Sequence, residues 1–220
     1  MIARDTVMES DHFVKLLEAM RAQNEERAWA PDYRDILPAM YSAGYSIEEI
    51  RPNVKLWMRD IAERAVRTQE ATEAEVVYPM CFAILMGCDE SDRENMTATL
   101  SLSPNLFGLT RFAGFLADFL GLHHGPVVPD DLTKFFPKVR VLGTKAEREA
   151  YLGNYMRRYW YQANKRPSRH PTDRLYCGYW AWDIAAVVRV WGLDDSSFCD
   201  HKYYPKELAH YLGSPDTLVG

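Results

Sequence analysis

The chain has no apolar run long enough to cross a membrane. Its longest, Val76 to Cys88, carries a proline and falls short of the roughly 20 residues that a spanning helix needs, so it reads as a buried helix. Cysteine is scarce. The four, at 81, 88, 177 and 199, show no CxxC spacing and lie in apolar or aromatic surroundings, which favours reduced structural thiols over a disulfide frame or a zinc site. Met1 to Asp5 lack the apolar core of a signal peptide, so export by that route is not indicated and a cytoplasmic location is expected. Strand-like alternation is almost missing, Lys138 to Leu142 being its best stretch, and there is no fixed-period repeat or low-complexity tail. Walker loop, dinucleotide fingerprint, HExxH and GxSxG are all lacking. No cofactor and no metal is expected on that ground, although missing motifs do not exclude an enzyme.

The composition, 47% hydrophobic and 26% charged over 220 residues, is that of a globular chain with one sizeable core or two small lobes. The net charge of −5 is unevenly spread: residues 1–100 balance to −8 and residues 101–220 to +3. An acidic half argues against direct nucleic-acid binding, which wants a basic footprint, and suits a protein that meets a basic partner. By local charge density the candidate contact acids are Glu25, Glu26, Asp32, Glu48, Glu49, Asp89, Glu90 and Asp92. The simpler reading of the same charges is that acidic helices are well solvated.

Periodicity then places the helices. Phe13, Leu16, Leu17 and Met20 recur helically within residues 5–28, and Pro31 opens a shorter helix that Gly44 ends. Ser46 with Glu49 forms a capping box for a helix to about residue 67, which Pro52 is expected to kink or restart. A buried helix over 75–87 follows, then a box of Ser91 with Glu94, an apolar helix over 105–120, and a helix from Thr144 with Glu147 to about Asn164. Lys165 to Pro171 forms a basic loop, more a surface hinge than a nucleic-acid patch in so acidic a chain. The fold class is all-α, a bundle of roughly eight to ten helices with short loops, arranged as an acidic module over 1–100 and a second module over 101–220.

Tyr176 to Tyr211 is the most informative stretch. Read as one helix, Tyr176, Tyr179, Trp180, Asp183, Val187, Val190 and Trp191 share a face, which sets a carboxylate within an apolar stripe. A buried acid without partners would cost roughly several kcal/mol, so Asp183 must meet an Arg, a Tyr hydroxyl, a Trp N–H or backbone donors. It serves either as a polar tie between helices or as a general acid or base of raised pKa. Asp194 to Ser197 reads as turn and cap chemistry, and His123-His124 as cap or surface residues. Cys199 beside His201 and His210 invites a nucleophile reading that lacks an oxyanion donor set.

Three groups of residues here, Gly178-Tyr179-Trp180-x-Trp182-Asp183, Gly192-Leu193-Asp194-Asp195-Ser196-Ser197 and Asp200-x-x-Tyr203-Tyr204-Pro205-x-x-Leu208, resemble the C-terminal signature of bacterial immunity proteins of polymorphic nuclease toxins, the PoNe-immunity (PoNi-like) family. That family usually has Glu where this chain has Asp183, which keeps the charge on a shorter side chain. Tyr41 to Ile50 resembles the N-terminal module found with the signature, so the two blocks bracket roughly residues 5 to 212. The resemblance implies a protein that binds and neutralises a cognate secreted DNase used in bacterial competition, often through a type VI secretion system. It makes that nuclease the expected partner. The signature residues are expected to be architectural. Neither direct nucleic-acid nor membrane contact is expected, and lateral aromatic helices are compatible with a homodimer. A helical adaptor, or a small-substrate enzyme pairing Asp183 with His210 or a Tyr, are the alternatives.

Overall fold

The computed structural model describes residues 3–6, 8–27, 32–102, 108–131, 133–165 and 175–212, with side chains 23–27 outside that description. Eleven α-helices and no strand occur among the described residues, so the all-α expectation holds. The count exceeds the expected range because three of the helices are single turns.

The first five helices are α1 (Ser10–Arg27), α2 (Tyr33–Ala43), α3 (Ile47–Thr68), α4 (Glu73–Met86) and α5 (Glu90–Leu102). α1 packs on α2, and α3 packs on α2, α4 and α5. α4 also meets α6 (Arg111–Leu120) and α10 (Trp182–Trp191), so it forms the axis of the molecule. Val76, Val77 and every residue from Pro79 to Met86 are buried, as the apolar run predicts. The buried core is continuous from Phe13 to Ala209 and includes side chains from both the 1–100 and the 101–220 parts. Between α6 and α10 lie α7 (Phe136–Val139), α8 (Lys145–Arg158) and α9 (Trp160–Asn164); α11 (Lys206–Ala209) follows α10.

The helix starts follow from capping chemistry. Glu49 accepts the Ser46 amide at 2.8 Å while Ser46 Oγ accepts the Glu49 amide at 3.2 Å, and Thr144 with Glu147 does the same at 2.9 and 3.2 Å. The box expected at Ser91 and Glu94 instead stands two residues earlier, where Asp92 and Asp89 exchange bonds of 3.0 and 3.1 Å. Aspartate caps as well as serine does, and Asp92 is buried where it can reach back. A further box, Thr72 with Glu75, starts α4.

Pro52 does not divide α3. In α2 and α3 the proline stands six residues after the cap, Asp32 to Pro38 and Ser46 to Pro52, so the carbonyl deprived of its donor belongs to the first turn. Glu48 and Pro52 are both exposed, and water can satisfy that carbonyl. Lys138 to Leu142, the best strand candidate, is the end of α7 and a turn. The apolar helix expected over 105–120 is described only from Arg111, behind a Thr110 cap, while residues 103–107 lie outside the described part.

The beginning of the chain is tied to its end. Arg4 donates to the carbonyls of Tyr41 and Tyr45 at 3.1 and 2.6 Å and pairs with Glu207 at 2.5 Å. Asp5, buried, accepts the Tyr176 hydroxyl at 2.7 Å.

Candidate functional site

The aromatic segment is not one helix. Residues 176–181 run as an irregular strap and α10 begins only at Trp182. The turning point is Gly178, whose φ of +104° no α-helix contains. A Cβ there would stand 2.4 Å from Ser42 Oγ and 2.5 Å from Trp180 Nε1.

The strap's polar groups find distant partners in place of a helical ladder. Trp180 Nε1 donates to Ser42 Oγ at 2.8 Å, and Ser42 donates in turn to the Cys177 carbonyl at 3.1 Å. Trp160 Nε1 donates to the Tyr179 carbonyl at 3.2 Å, His12 Nε2 lies 2.9 Å from the Tyr176 carbonyl, and the Ala181 amide donates to Tyr203 at 2.8 Å. Buried backbone groups require such partners, and here they come from α1, α2, α9 and the turn before α11. Rings lock the same segment: Tyr41 meets Trp180 and Trp182 edge-on at 4.7 and 5.0 Å, and Tyr203 stacks on Tyr161 at 5.6 Å.

The rest of the signature closes this core. Asp194 accepts both the amide and the hydroxyl of Ser196, at 2.9 and 3.0 Å, as the turn reading predicts. Asp195 is buried and accepts the Tyr204 hydroxyl at 2.7 Å and His210 Nε2 at 2.9 Å. Asp200 pairs with Lys206 at 2.5 Å on the surface, and Pro205 precedes α11. His210 is therefore engaged with Asp195, and the Cys199 thiol points to the Ser196 carbonyl at 3.8 Å, so the two do not form a nucleophile pair. Tyr204→Phe removes the strongest neutral donor to a buried carboxylate and is expected to cost about 1–3 kcal/mol, read as a lowered midpoint in urea.

Asp183 sits at the second position of α10. Its Oδ1 accepts the Ile184 amide at 2.9 Å, and its own amide also contributes; these backbone donors are its hydrogen-bond partners among the described residues. Desolvation raises its pKa from 3.8 to about 7, with the two amides pulling the other way. The burial has a side chain's worth of opening, because Asp183 borders a cleft of about 310 Å³. Tyr33, Trp57, Tyr78, Phe82, Trp160 and Trp182 supply its aromatic lining, with Arg34, Asp35 and Lys165 among the polar residues. A smaller recess of about 120 Å³, between Tyr78, Phe135 and Tyr155, also reaches Asp183. Burial and the Asp183 charge together push the Tyr155 hydroxyl up to about 12. The helix aromatics of the cleft lining are residues that periodicity assigns to a core, and Tyr176, Tyr179 and Trp180 of the strap complete it.

The acidic candidates are placed unequally. Glu48 is exposed on α3 with no ion-pair partner among the described residues, and Glu90 is exposed beside Arg93 at 3.4 Å. Glu49 is committed to its capping box, whose Ser46 donors lower its pKa. Asp32 caps α2 and holds Arg34 through two bonds of 3.0 and 3.1 Å. Asp89 pairs with Lys55, and buried Asp92 lies 3.4 Å from the same ammonium. Side chains 25 and 26, the candidates Glu25 and Glu26, lie outside the described residues, as do residues 166–171 of the basic loop. No cluster of three or more His, Cys, Asp or Glu suited to a metal occurs among the described residues, and no described helix is long and apolar enough to cross a membrane.

Fold and site together define an all-α helical bundle whose C-terminal part is organised by a strap, a buried-acid turn and an aromatic cleft. Residues 131–208 match the family model described as PoNe immunity proteins (PoNi), C-terminal, so this part of the chain is similar to that family's C-terminal region. The matched span runs from the approach to α7 into α11 and holds the strap, α10 and the Asp195 turn. Searches of curated proteins and of solved structures found no significant match.

Proposed function

We propose that this protein is a cytoplasmic inhibitor that binds a cognate DNase toxin, delivered by a type VI secretion system, and blocks it stoichiometrically. The observation that carries the reading is the family match over 131–208, which coincides with the strap and turn that build the C-terminal core. The toxin class and delivery route come from the resemblance. Physically, a nuclease cleft is lined with Lys and Arg that neutralise phosphates, and an acidic inhibitor enters the same field. Of the candidate acids, Glu48 and Glu90 are exposed for that encounter, while Glu49, Asp32, Asp89 and Asp92 hold helix ends in place.

The test is co-expression of a nuclease toxin encoded beside this gene with and without this protein, followed by titration of the purified nuclease. Rescue and loss of nuclease activity at one equivalent is the expected result; no rescue and no complex removes the immunity reading. A second reading, an enzyme using Asp183 as acid or base, draws on the cleft beside that residue. It requires inactivation of excess nuclease, or turnover of a small substrate, by far less than one equivalent. Glu48→Lys with Glu90→Lys is expected to lower the association rate by about tenfold at low salt, with the difference shrinking as salt rises. An unchanged rate measured by stopped flow would remove that surface from the encounter.

A further inference from the structure

The Asp183 cleft contains an incomplete ion pair. Among the described residues Asp183 has backbone amides alone as hydrogen-bond donors, although it sits among aromatic walls that cannot solvate a carboxylate. The nearby described cations are directed elsewhere. Arg34 is held by Asp32 through its Nε and Nη2, and the Lys165 ammonium lies over the Tyr161 ring at 6.0 Å. The other neighbours within reach of its charge, Tyr155 and Cys81, are neutral acids whose ionisation Asp183 opposes. Among the described residues, then, no cation pairs with Asp183, and a cation that enters the cleft meets an unpaired carboxyl.

Aromatic faces beside the Asp183 carboxylate, with Asp35 also in the lining, together select a cation that is planar, weakly hydrated and able to bond in a fork. That is a guanidinium, which stacks on rings and pairs with carboxylate better than an ammonium does. At about 310 Å³ the cleft lies at the small end of ligand sites, the size for one long side chain rather than an extended ligand.

The geometry points to the cleft formed by Trp57, Tyr78, Trp160, Trp182 and Asp183 as the seat for one arginine side chain of the bound nuclease. This rests on the immunity reading above. Seating an arginine there supplies the desolvated aromatic-Arg contact that usually dominates an interface, and it withdraws from the nuclease a charge that DNA would otherwise use.

Two measurements test it. The protein is titrated with methylguanidinium chloride, and with neutral methylurea as control, while the indole signals of Trp57, Trp160 and Trp182 are followed by NMR. Saturable movement with methylguanidinium alone, lost in Asp183→Asn, is expected. Separately, the affinity of wild type and Asp183→Asn for the catalytically inactivated neighbouring nuclease is compared, and a loss of about tenfold or more is expected. No response of the wild type to methylguanidinium, or an equal response in Asp183→Asn, overturns the site. Nuclease affinity unchanged within about twofold in Asp183→Asn overturns the arginine assignment and leaves the immunity reading standing. Wild-type protein that takes methylguanidinium but no nuclease overturns both.

Discussion

Gly178→Ala is expected to destabilise the protein by about 3–5 kcal/mol, lowering the melting temperature by about 10 °C. Two costs add. The φ of +104° is closed to a residue with a side chain, which carries about 1–3 kcal/mol. The added methyl would also meet Ser42 Oγ at 2.4 Å and Trp180 Nε1 at 2.5 Å, the two partners of a buried hydrogen bond. Neither partner is a mobile chain end. Ser42 is fixed on α2 and bonded onward to Cys177, and Trp180 is held by Tyr41. Relief therefore requires the strap to lift, which exposes Tyr176, Tyr179 and Trp180 together. Circular dichroism melts of the two proteins check this, and a melting temperature within about 2 °C of wild type would show that the strap is not fixed by that close approach.

The second large effect concerns pH. Because the folded-state pKa of Asp183 is raised from 3.8 to about 7, the native protein holds a proton that the unfolded chain has released across that interval. Stability from this group is therefore greatest below about pH 4, falls as pH rises towards 7, and is level above it. Asp183→Asn abolishes that slope. With allowance for the opening to the cleft, the variant is expected to exceed wild type by ~2 kcal/mol at pH 8 and to match it near pH 4. Carboxylates of opposite behaviour, such as Glu147 and Glu75, contribute equally to both proteins and cancel in the difference. Urea denaturation at the two pH values measures it. A variant less stable than wild type at pH 8 would mean that the charged carboxylate is a net tie. A stabilising loss of a charge at a cleft is the pattern of a group kept for binding at a cost to the fold.

The helical class and most helix starts were legible because they rest on local chemistry. Ser46 with Glu49 and Thr144 with Glu147 lie three residues apart, and nothing distant decides whether they cap. The strap was illegible for the opposite reason. Its apolar spacing fits a helix, yet its actual backbone and ring partners include His12, Ser42, Trp160 and Tyr203, up to 164 residues away, and only the packed fold reveals that they outcompete a ladder. Asp183 was singled out correctly as an acid among aromatics. Its cleft was not foreseen, because Trp57 and Tyr78 look like core residues until the strap turns aside. Asp195, read as turn chemistry, proved also to be a buried acceptor for residues nine and fifteen positions later.

The clasp between the two ends of the chain has a consequence for synthesis. Asp5 leaves the ribosome 171 positions ahead of its partner Tyr176, and Arg4 leaves it 203 positions ahead of Glu207. The strap, α10 and the cleft they shape likewise appear well after α1 to α5. A growing chain thus holds α1 to α5 before the surface that completes their packing exists.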